Sequence, residues 1–70
     1  MKMILIDGKA QPVYSISDLA RAVGLDPQTI FHRVRYVRSL PEPPIHYGRR
    51  WYYGADLYHE IVRAELARKN

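Results

Sequence analysis

The stretch SISDLARAVGLDPQTIFHRVRYV, residues 15–37, decides the fold. Ser15 and Asp18 stand at capping-box spacing, with Asp as the shorter acidic member and Ser17 as a rival cap. Leu19, Ala20 and Val23 recur at helical spacing, and Gly24 supplies a left-handed C-terminal cap, so a helix is predicted over 16–23. Only Leu25 separates Gly24 from Asp26, an N-cap candidate followed by Pro27 in the favoured first helical position. Ile30, Val34 and Val37 then follow at i, i+4 and i+7 as the buried stripe of a second helix. Gln28, Thr29, His32, Arg35 and Tyr36 project to the other side, and Arg33 and Arg38 flank the stripe. Two short helices joined through a glycine turn form a helix-turn-helix unit, spanning 15–38.

Working outward, MILIDGKAQPVYS places an apolar run, an Asp7-Gly8 turn and a second extended piece in residues 1–14, a short N-terminal hairpin that Pro12 limits to an edge. On the other side, LPEPP cannot be helical, since each proline lacks a donor and biases its predecessor toward extended geometry. IHYGRRWYY offers two β-prone runs over 45–53 around Gly48-Arg49, with glycine first as a type II′ turn prefers. That register puts Trp51 and Tyr53 on one face, Arg50 and Tyr52 on the other, and Ile45 with the arginine face. The last segment, 55–69, reads as a helix with Asp56 and Glu60 early and Arg68 and Lys69 late, as the helix dipole favours. Leu57, Ile61 and either Ala64 or Glu65 fall on one stripe, with Tyr58, Val62 and Leu66 beside it.

Seventy residues make one small domain near the lower limit for an unstapled apolar core, and cysteine is absent. No disulfide framework or thiolate zinc site is available. The basic N-terminus precedes only MILI, too short for a signal-peptide core, and no long apolar run exists, which points to a cytoplasmic protein. His32, His46 and His59 lie on three elements without close ligand spacing, so no metal is expected. Ser15, Ser17 and Ser39 read as caps or helix ends rather than nucleophiles, and neither a phosphate-binding glycine loop nor a close carboxylate pair occurs. The chain is read as a non-enzyme without cofactor or small-molecule ligand.

Charge is concentrated. Formal net charge is +4, and between Arg21 and Arg50 six arginines face two acids, Asp26 and Glu42. A solvated face kept soluble by charge would look similar, but so dense an arginine field reads as an anion-binding face, with nucleic acid the commonest partner.

The order helix, turn, helix, β-hairpin, helix is that of a winged helix-turn-helix of the α+β class. Through ISDLARAVG, LPEPP and GRRWYYGADL the segment 15–62 resembles the MerR-like winged-helix superfamily, most closely its small AlpA-type and phage excisionase members. The resemblance implies sequence-specific binding of double-stranded DNA, with the second helix in the major groove and the wing on the backbone and neighbouring minor groove. It implies a small phage or prophage transcription regulator or an excisionase-like recombination factor. The chain departs from that pattern in its N-terminal hairpin, and it lacks the long dimerisation helix and effector domain of full-length MerR regulators.

On chemical grounds Gln28, Thr29, His32, Arg33, Arg35 and Tyr36 are the candidates for base edges and flanking phosphates, with most weight on Gln28, Thr29, Arg33 and Arg35. Arg49 and Arg50 at the hairpin tip suit phosphates, with Trp51 and at least one tyrosine packed beneath them. A recombinase or a second copy of the chain are the expected protein partners; the last helix and the N-terminal strand both offer surface for pairing. The alternative is a protein-interaction module that docks an acidic partner, such as a phage-encoded inhibitor of a host factor, favoured if Tyr36, Tyr47, Tyr52 and Phe31 form an exposed patch. A third possibility is the DNA-binding domain of a longer protein, such as a small terminase subunit, cut after Asn70.

Overall fold

A computed structural model describes residues 1–68. The elements run β1 (Lys2–Ile6), β2 (Lys9–Tyr14), α1 (Ile16–Val23), α2 (Pro27–His32), a π-helical turn (Arg33–Val37), β3 (Ile45–Tyr47), β4 (Arg50–Gly54) and α3 (Ala55–Arg68). The chain is a small α+β protein with one curled antiparallel sheet, ordered β1-β2-β4-β3. Lys69, counted with Arg68 in the last turn of the final helix, lies outside the described residues.

The short-range signals fold as their chemistry dictates. Ser15 accepts from the Asp18 N–H at 3.1 Å while the Asp18 carboxylate accepts from the Ser15 N–H at 3.1 Å, closing the capping box. Burial pushes the Asp18 carboxyl up, but the Ser15 N–H and the Met1 amino group outweigh it and hold its pKa below the usual carboxylate value. Gly24 adopts the left-handed conformation, φ 73°, and donates to the Ala20 carbonyl, which ends α1. Asp26 accepts from the Gln28 N–H at 2.8 Å and Pro27 follows it, so α2 starts three residues after the Gly24 cap of α1. Asp7 and Gly8 both have positive φ, the signature of a type I′ turn.

Three expectations are corrected. The first concerns Pro12, which lies in β2, an inner strand. Counted from the two-residue turn, Met3–Pro12 is a non-hydrogen-bonded pair, so Pro12 turns its donorless nitrogen away from β1. β4 pairs only with Val13 and Tyr14, so no partner waits on that side either. The second concerns Val37, which is 56% exposed although Ile30 and Val34 are buried. Each π turn closes around one more residue than an α turn, which carries positions after Arg33 away from the α-helical register. Arg38 then stops the helix in the left-handed region at φ 59°, donating to the Arg33 carbonyl. The third concerns Trp51, which is exposed rather than packed under the arginines, whereas Tyr52 and Tyr53 are both buried.

At Tyr52 and Tyr53 both faces of β4 are covered because the sheet curls. Tyr53 joins Leu19, Ala20, Val23, Ile30, Val34 and Ile61 in the larger core against the helices. Tyr52 turns to the opposite face, where Ile4 and Val13 enclose it beside Ile45, its cross-strand partner. The sequence-level clash between Ile45 and the arginine face is thereby removed: that face is apolar at Ile45 and Tyr52 and basic only at the tip. The final helix buries Ile61 and Glu65 rather than Ala64, and a Tyr14–Tyr58 stack, 3.7 Å between ring centres, ties it to β2.

The Tyr53 hydroxyl donates to the Pro41 carbonyl at 2.8 Å, which pins the proline segment to the core. Burial, helped by the negative charge of Glu42, pushes its pKa up to about 12. The fold therefore favours the neutral phenol. Its contribution is intact below the ordinary tyrosine value of about 10 and is lost as pH rises from there through about 12. Urea midpoints measured on both sides of that window should fall with rising pH in the wild type and fall less in Tyr53→Phe; equal slopes would show that Tyr53 is not the group responsible.

Candidate functional site

The second helix and the second hairpin lie side by side. Ile16, Phe31, Val34, Arg35, Glu42, Pro43 and Trp51 line a groove of about 240 Å³ between them. Its floor comes from the α1 start and the buried side of the helix; its rims are Phe31 with Arg35 on one side and Trp51 on the other. Arg35 sits over the Phe31 ring at 5.8 Å, as i, i+4 neighbours do on a helix. Its ion pair with Glu42, at 3.7 Å, joins two well-exposed side chains and holds it only weakly.

Trp51 earns its exposed position through His46, its cross-strand partner. The two rings stack at 4.4 Å with an interplanar angle of 19°. The hairpin tip beyond them is closed by Gly48 at φ 65°, while Arg49 has no positive φ, the sign pattern of a type II′ turn. Arg49 lies in the turn and Arg50 opens β4 opposite Tyr47. Strand alternation sends Arg50 to the Tyr47 face, away from the groove that Trp51 lines. Both arginines are exposed and, among the described residues, neither makes an ion pair.

The helix residues divide into two groups. Gln28 and Thr29 are exposed in the first turn of α2, His32 ends it, and the His32 and Tyr36 rings lie 5.3 Å apart on the surface. Arg33 is different. Its guanidinium is 3.0 Å from the Glu65 carboxylate, which is buried, and Arg68 approaches the other carboxylate oxygen at 3.3 Å. Arg33 is therefore occupied inside the protein, as the clamp between the second helix and α3. Its sequence position beside the buried stripe was visible; its partner, 32 residues away, was not.

The groove itself was not legible in the sequence, although Phe31 was named there as a candidate for an exposed patch. Phe31 is 45% exposed and belongs with Arg35 on the groove rim. The His46–Trp51 pairing follows from the two-residue turn, so its register was legible even though its exposure was not. Among the described residues no cluster of histidine, cysteine or acidic side chains is arranged to hold a metal ion, and no helix is long and apolar enough to cross a membrane. Comparison with family models, curated proteins and solved structures finds no match.

Proposed function

We propose that the chain binds double-stranded DNA as a winged helix-turn-helix protein, in the manner of a small phage or prophage regulator or an excisionase-like recombination factor. The observation that carries this reading is the juxtaposition of the second helix, with Gln28, Thr29, His32 and Arg35 exposed, and a hairpin whose tip bears the exposed Arg49 and Arg50. The helix serves as the element for the major groove, where glutamine suits adenine and arginine suits guanine. The hairpin serves as the wing, its arginines neutralising phosphates and releasing counterions. Arg33 leaves the list of base readers, because removing it from Glu65 would strand a buried carboxylate.

The test is titration of labelled duplexes, including a random-sequence pool, at several salt concentrations. Binding should weaken steeply with salt and discriminate among sequences. Arg50→Ala and Arg49→Ala should each weaken binding to all sequences alike and reduce the log–log salt slope by about 1. Gln28→Ala should instead relax base preference by about 1–3 kcal/mol at one position, with the slope unchanged. A wild-type protein with no salt slope and no preferred sequence would overturn the reading.

A second reading, docking of an acidic partner protein, draws on Phe31, Tyr36, Val37 and Trp51, all exposed large apolar side chains on or beside the same helix. Tyr52 is missing from that patch, being buried. Saturable binding of an acidic protein that Phe31→Ser abolishes, together with the absence of duplex binding, would favour this reading.

A further inference from the structure

The two edges of the sheet are unlike. β3 is three residues long and follows Pro41, Pro43 and Pro44, so it offers little backbone to a neighbour. β1 is five residues long, has no proline, and bonds to β2 alone. Counting from the Asp7-Gly8 turn, Ile6, Ile4 and Lys2 direct their N–H and C=O groups to β2, so those of Met3 and Leu5 point out of the sheet. The same two residues are exposed apolar side chains, Leu5 at 72% and Met3 at 53%, and alternation puts them on one face. Because β4 reaches only Val13 and Tyr14, the outer half of this hairpin is a two-stranded ribbon, an arrangement that is marginal by itself in water.

We propose that β1 pairs antiparallel with β1 of a second copy of this chain, about a two-fold axis through Ile4. Outward-pointing groups must meet outward-pointing groups. The register with the fullest overlap sets Met3 opposite Leu5 of the second copy and Leu5 opposite its Met3, exchanging about four N–H···O=C bonds. Both apolar pairs then lie on the same face and cover one another. Charge does not oppose this register in a chain of net charge +4: Lys2, whose ammonium lies 5.4 Å from the centre of its own chain's Tyr47 ring, stands opposite Ile6 of the second copy, and no cation faces a cation. The outer edge of β2 is no rival, since Pro12 has no donor and Lys9 stands near the tip. The contact is smaller than the roughly 1,200 Å² of a standard interface, so association is weak, with a Kd on the order of 10⁻⁴ M. It is independent of the DNA reading, and it doubles whatever surface the protomer presents.

Sedimentation equilibrium of the full chain without DNA, from about 10 µM to about 1 mM, tests it. The mass should rise from 8.2 kDa toward twice that value in the wild type and stay at 8.2 kDa in Met3→Lys/Leu5→Lys, whose far-ultraviolet spectrum should be unchanged. A wild type that stays monomeric throughout, or a double variant that associates equally well, overturns the proposal. The register has its own probe, because the chain has no cysteine. Mixed Met3→Cys and Leu5→Cys proteins should form disulfide-linked heterodimers several-fold faster than either forms homodimers alone; faster homodimers from Leu5→Cys would overturn the register.

Discussion

Tyr53→Ala is expected to leave the chain largely unfolded at room temperature. The ring is fully buried in the larger core, where the sheet meets α1, the second helix and α3 together. Truncating a buried aromatic removes its transfer free energy and leaves a cavity, about 3–5 kcal/mol. The Pro41 carbonyl also loses its donor, about a further 1 kcal/mol. A domain of this length has a total stability of about 4–10 kcal/mol, so most of it is gone. Thermal unfolding followed by circular dichroism should show the transition lowered by more than about 20 °C or abolished. Tyr52→Ala is the internal control, because Tyr52 belongs to the smaller cluster with Ile4 and Val13 and its loss should destabilise less. A Tyr53→Ala protein melting near the wild-type temperature would mean that the helices and the sheet do not share this core.

Arg33→Met is the second large effect. It leaves the buried Glu65 carboxylate with Arg68 alone, at 3.3 Å and mostly in solvent. Breaking a buried pair from one side typically destabilises by about 3–5 kcal/mol; with Arg33 partly exposed and Arg68 still in reach, about 2–3 kcal/mol is expected here. Glu65→Leu should be milder, since both freed guanidiniums can turn to water. Arg33→Met/Glu65→Leu should recover most of the stability, because an apolar pair of similar volume replaces an ion pair whose desolvation offsets much of its attraction. Denaturant midpoints of the four proteins complete the cycle, and losses that simply add would show that the two side chains are not coupled. The double variant also tests the proposed DNA reading, in which position 33 takes no part: folded without that guanidinium, it should match whatever duplex binding the wild type shows.

The contrast between Arg33 and Arg35 explains why the candidate surface was only partly legible. Both lie on the same short segment and both looked available to an anion. One meets a carboxylate on α3 and the other meets the Phe31 ring four residues before it. Spacing on a helix reveals the second contact, since both partners belong to one turn of chain. It carries no information about the first, because the position of α3 depends on the whole core. Trp51 and Tyr53 make the same point on β4. Alternation assigns them one face, yet helices cover only the end of the strand that holds Tyr53, so Trp51 emerges beside His46 at the hairpin tip.

What the sequence by itself determined are the features closed within a few residues: the Ser15–Asp18 box, the Gly24 stop, the Asp26-Pro27 start, and the turns at Asp7-Gly8 and Gly48-Arg49. Each is set by local hydrogen bonds and by backbone torsions that few residue types adopt, so no distant part of the chain can change it cheaply. Only the tertiary structure decided that β2 is an inner strand, that Tyr52 and Tyr53 are buried on opposite faces of β4, that Val37 turns outward and that Arg33 clamps Glu65. Those outcomes depend on which surfaces meet across the fold, and burial is a property of the assembled layers rather than of any segment alone.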